Sequence, residues 1–104
     1  MKTDRELLEL AAKAAGMNTR EFATDSITRW HWRDDGTHTA WNPLTDDGDA
    51  LRLAVQLRLI VRCYDGSVIV DGGGINVEEH DLSNYNAATR RAITRAAAAI
   101  GEGE

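Results

Sequence analysis

A chain of 104 residues suits a single domain, since soluble domains most often run to about 100–150 residues, and at this size about 60–65% of the unfolded surface can be buried in one core. A net charge of −5 with acids along the whole length disfavours tight non-specific nucleic-acid binding, which needs a basic surface; it is also too thin for a nucleic-acid mimic. The single cysteine, Cys63, rules out an internal disulfide framework and a multi-cysteine zinc site.

The opening MKTDRELLEL carries acids where a signal peptide needs a basic end and an apolar core. No apolar run approaches the roughly 18 residues of a membrane helix. The expectation is a protein that stays in the compartment where it is made. Thr3-Asp4-Arg5-Glu6 is a capping box, followed by Leu7, Ala11 and Ala14 at helical spacing, so a helix is expected over residues 4–15 and Gly16 ends it. Residues 17–25 fit no single pattern.

Ser26 to Arg33 alternates: Thr28, Trp30 and Trp32 fall on one face, and Ile27, Arg29, His31 and Arg33 on the other. Asp34-Asp35-Gly36 reads as a hairpin turn, and Thr37–Trp41 as the returning strand. Pro43 holds Asn42 extended and separates that strand from a helix. Ala50, Leu53, Ala54 and Leu57 mark the inner stripe of this helix, with Arg52 and Gln56 outside.

A strand is expected over Leu59–Tyr64, with Leu59, Val61 and Cys63 facing the core and Ile60, Arg62 and Tyr64 facing away. Asp65-Gly66-Ser67 turns it back through Val68–Val70. Gly72-Gly73-Gly74 interrupts the pattern as a flexible turn or bulge, and Ile75–Glu78 is a short further strand or an edge. A last helix is expected over residues 85–100, with Ala88, Ala92, Ala96 and Ile100 (or Ile93 and Ala97) inward and Arg90, Arg91 and Arg95 largely outward. Residues 1–101 then form the domain and 102–104 a flexible tail. The order α-β-β-α-β-β-(β)-α implies an α+β fold, a small sandwich with a mostly antiparallel four- to five-stranded sheet covered by three helices.

Chemistry is sparse along this chain. Asp46, Asp47 and Asp49 crowd the start of the second helix, where free amides and a partial positive charge favour carboxylates, and Thr45 or Asp46 is the expected cap. A calcium loop would need further oxygen donors and a distal glutamate, but Ala50-Leu51-Arg52-Leu53 follows. His31 and His38 could face each other across the first hairpin, without the close spacing typical of zinc ligands. Cys63 in LIVRCY reads as a buried thiol away from any base. The glycine run leads into extended Ile75-Asn76-Val77, so it lacks the context of a phosphate cradle. No catalytic residue, metal site or cofactor is expected.

Trp30, Trp32 and Trp41 have two readings: core under a helix, each indole N–H with one partner, or an exposed aromatic patch for a protein partner. Arg29, His31 and Arg33, extended by Arg62 from another strand, form a basic stripe that reads as a solvated face or as a nucleic-acid or nucleotide contact. An edge such as Ile75–Glu78 invites pairing with a second copy, so a homodimer is expected.

WNPLTDDGDALRLAVQL (Trp41 to Leu57), AATRRAITRAAAAIG (Ala87 to Gly101) and the LLELAAKAAG helix together resemble the small bacteriophage proteins of the phage ABA (α/β/α) sandwich domain family. The resemblance implies a phage or prophage origin, the cytoplasm of a bacterial host, and helices on the faces of a mixed or antiparallel sheet; the family carries no activity to transfer. The function expected is a small accessory protein, not an enzyme, that binds a host or phage protein through Trp30, Trp32, Trp41, Arg29, His31, Arg33 and Arg62. Inhibition of a host defence is one example. The alternative is nucleic-acid or nucleotide binding through the Arg/His strand face.

Overall fold

The computed structural model describes residues 2–17, 19–21, 29–32, 36–80 and 83–103, with 19–21, 29–32 and 38 by backbone alone. The first helix, α1 (Asp4–Ala14), begins at the expected capping box: Glu6 N–H donates to the Thr3 hydroxyl at 3.2 Å, and Thr3 N–H donates to the Glu6 carboxylate at 3.3 Å. Two otherwise free amides are thereby satisfied. Leu7, Leu8, Ala11 and Ala12 are its buried face. Gly16, at φ 68°, turns the chain out of the helix.

Two short ladders follow. Strands β1 (Thr19–Glu21), β2 (Arg29–Trp32) and β3 (His38–Trp41) form an antiparallel sheet in the order β1-β2-β3. The ambiguous stretch 17–25 thus contains a strand, while its residues 18 and 22–25, and residues 26–28 and 33–35 of the expected hairpin, lie outside the described residues. After α2 (Asp47–Leu57) come β4 (Ile60–Tyr64), β5 (Ser67–Gly72) and β6 (Ile75–Glu79), a second antiparallel sheet in the order β4-β5-β6. The α+β class and the three helices are as the periodicity implies. Among the described residues, however, the strands divide into two three-stranded sheets instead of one sheet of four or five.

Gly73 and Gly74 explain the second half of the β5–β6 hairpin. Both have positive φ, 57° and 82°, the combination that a two-residue turn needs to match the twist of its strands. Of the two expected forms, a flexible turn or a bulge, the run takes the turn, as a tight hairpin, and β6 is a full partner of β5 through Val70↔Val77 and Asp71↔Asn76.

The last helix, α3 (Tyr85–Glu102), organises the body. It lies over β5 and β6, where Val68, Val70 and Val77 are buried, and also packs against α1 and α2. Full burial of each such side chain contributes about 1.5–3 kcal/mol. Its inner residues, Ala92, Ala96 and Ala97, share one buried cluster with Leu8, Ala11 and Ala12 of α1 and the cap residue Ala15. Small side chains on both helices let the backbones come close, and at Gly101 an added Cβ would overlap the Leu10 carbonyl. The helix continues past Ile100 through buried Gly101 to Glu102, the first residue of the expected tail, and Lys2 and Glu102 pair at 2.7 Å.

Candidate functional site

The loop before α2 is the most polar knot in the molecule. Asp46 is the N-cap: its carboxylate accepts from Asp49 N–H at 2.8 Å. Asp49 folds back so that Asn42 N–H donates to it at 3.0 Å, while its other oxygen takes Arg52 at 2.7 Å. Asn42, buried, accepts from Leu44 N–H through its side-chain oxygen at 3.0 Å, closing the turn around Pro43, which is also fully buried. Asp47 pairs with Arg90 of α3 at 2.6 Å, and Arg90 also donates to the Leu44 carbonyl at 2.9 Å. Each aspartate thus holds a backbone amide or a cation of the chain itself. Among the described residues no three His, Cys, Asp or Glu side chains gather in a way that could hold a metal ion.

The three tryptophans do not form one surface. Trp41 is 6% exposed and belongs to the core cluster with Leu53 and Ala54. In the β2–β3 ladder, position 41 pairs with Arg29 and position 39 with His31, whereas Trp30 pairs with Ala40 and Trp32 with His38. Directly paired residues share a face, so Trp41 falls on the face of Arg29 and His31, opposite that of Trp30 and Trp32. The same register puts His31 and His38 on opposite faces of the ladder, so the facing pair that the sequence allows does not form. Arg33 lies outside the described residues.

Arg62 does not extend the basic stripe on β2, because it stands in the second sheet. There it pairs across the ladder with Asp71 at 2.6 Å, and Asn76 donates to the other oxygen of Asp71. The arginines of α3 are likewise engaged: Arg90 with Asp47, Arg91 with Asp4 at 3.0 Å, and Arg95 with Glu79. They knit α3 to α2, α1 and β6 instead of presenting free cations to a phosphate.

Cys63 corrects a second expectation. Its facing is as expected, since it pairs with buried Val68 and lies two residues from Val61, but it is exposed. The reason is position across the sheet: α3 covers β5 and β6 and barely reaches β4, the edge strand. Between β4 and α2 this leaves a groove of about 320 Å³ lined by Ala50, Leu51, Ala54, Val61, Cys63 and Ile93. Leu51 and Val55 stand exposed on α2, and Ile60 and Tyr64 on β4. The sequence does hint at this surface: LRLAVQL holds more apolar residues than the one inward stripe needs, and Leu51 and Val55, at i, i+4, lie off that stripe.

No protein-family model, curated protein or solved structure matches the chain. Among the described residues no helix is long and apolar enough to cross a membrane.

Proposed function

We propose that the chain is a small phage or prophage accessory protein that acts in the bacterial cytoplasm as a non-enzymatic binding module for a host or phage protein. Inhibition of a host defence is one form such binding takes. The phage setting and the ABA-sandwich assignment rest on the resemblance of the Trp41–Leu57 and Ala87–Gly101 segments.

One observation carries the binding reading. The first sheet is seated on the body at Trp41, while Ala40, Thr39 and Thr37 are exposed. Ala40 is the residue paired with Trp30, so the ladder face that bears Trp30 and Trp32 is open to solvent at Ala40. A strand face that carries two tryptophans is a natural anchor for a protein, because Trp is enriched among the few residues that dominate interface energies. The nucleic-acid alternative loses support, since Arg62 and the α3 arginines are spent on internal ion pairs.

Affinity capture from infected host lysate tests the proposal. The native chain should retain one partner in stoichiometric amount, and a Trp30→Ser/Trp32→Ser variant of unchanged thermal stability should lose it, with affinity falling by about thirtyfold or more for anchors of this type. Retention of the same partner by that variant would rule out the first sheet as the contact.

A further inference from the structure

The second sheet has two edges, and among the described residues only that of β6 is guarded. At β6, Arg95 of α3 donates to the Glu78 backbone carbonyl at 3.2 Å and also pairs with Glu79. Two glutamates and an arginine on a short edge strand discourage pairing with another strand. β4 has no such guard. Its one charged side chain, Arg62, is turned back onto Asp71. Beside it lie apolar side chains that a lone protein would be expected to cover: Ile60 is 53% and Tyr64 50% exposed on the outer face, and Leu51 is 64% and Val55 68% exposed on α2.

The ends of β4 carry opposite charges. Arg58 precedes the strand and Asp65 follows it, and neither has an ion partner among the described residues. A strand that is positive at its start and negative at its end is complementary to itself when turned antiparallel. A two-fold interface demands this, because the same patch must serve both sides.

We infer that β4 pairs antiparallel with β4 of a second copy, joining the two second sheets into one six-stranded sheet. A two-fold axis through Arg62, perpendicular to the sheet, keeps faces matched; it sets Arg62 opposite Arg62 of the second copy, each guanidinium held back and neutralised by its own Asp71. Ile60 then meets Tyr64 of the second copy on the outer face, and Val61 meets Cys63 on the inner face, over the α2–β4 groove. Arg58 comes to the end of the ladder where Asp65 of the second copy lies, and the reverse holds at the other end. β4 belongs to the second sheet and not to the first, so the dimer carries two copies of the proposed partner-binding face.

Light scattering across a concentration series, with charge-reversed variants, tests the inference. The native protein should reach twice its 11.4 kDa chain mass and dissociate on dilution. Arg58→Glu and Asp65→Arg should each weaken the dimer by about tenfold, because each reversal replaces two attractive pairs with two repulsive ones. The R58E/D65R double variant, with both pairs restored in the opposite sense, should recover the native dimerisation constant; misfolding of either single variant could not produce that recovery. A native chain that stays monomeric at every concentration would overturn the inference and leave the β4 edge to a strand of another protein. So would a dimer indifferent to both single reversals, or a double variant no better than the singles.

Discussion

The two sheets have the same number of strands among the described residues and the same antiparallel pairing, yet they live in different surroundings. The second has α3 across one face, so Val68 and Val70 are fully buried and the strand becomes a wall of the core. Among the described residues, the strands of the first pair mainly with one another, no helix makes extensive contact with them, and Trp41 is the buried point that joins the body. Strand pairing alone therefore does not decide what a sheet contributes. A ladder supplies stability when a helix removes one of its faces from water, and it presents a surface when none does.

Trp41 is where the comparison breaks most sharply. Trp41→Ala removes a buried indole from the join between the first sheet and the core, and should cost about 3–5 kcal/mol in denaturant unfolding. Ala40→Ser, one residue away but exposed, should stay within about 0.5 kcal/mol. Equal effects at the two neighbours would mean that the first sheet is packed as deeply as the second.

A smaller change sharpens the other half of the comparison. Gly101→Ala puts a methyl group against the Leu10 carbonyl at the closest approach of α1 and α3, and should cost about 1–3 kcal/mol as an overpacking defect. Because α3 is the cover of the second sheet, the loss should appear in the melting of the whole body, measured by thermal unfolding. A neutral result would show that the two helices can shift apart freely.

Much of this arrangement was legible in the chain. Thr3-x-x-Glu6, the acids before Ala50 and the turn at Asp65-Gly66 are local signals with local causes, so the helices, a cap at Thr45 or Asp46 and the β4–β5 hairpin could be read directly. Three features could not. The division into two sheets depends on which strands meet over long sequence separations, a choice that alternation does not encode. The exposure of Cys63 depends on β4 being an edge that α3 does not cover; periodicity assigns a side chain to a face but not to a place across the sheet. The separation of Trp41 from Trp30 and Trp32 depends on ladder register, where a slip of one residue moves every side chain to the other face. The candidate site suffered most: Trp41 and Arg62 were grouped with the β2 residues by residue type, and the fold places one in the core and the other in the second sheet.

Native-state amide hydrogen exchange tests the central claim most directly, by comparing β3 with β5 in one sample. Amides of a strand buried under a helix should exchange only through global unfolding, whereas those of an uncovered ladder should open locally at lower free energy. The expected result is that Val68–Val70 exchange at the global rate while Thr39 and Ala40 exchange faster and lose little protection in mild denaturant. Equal protection in the two strands, falling together with denaturant, would contradict the claim that α3 makes one sheet a core and leaves the other as a surface.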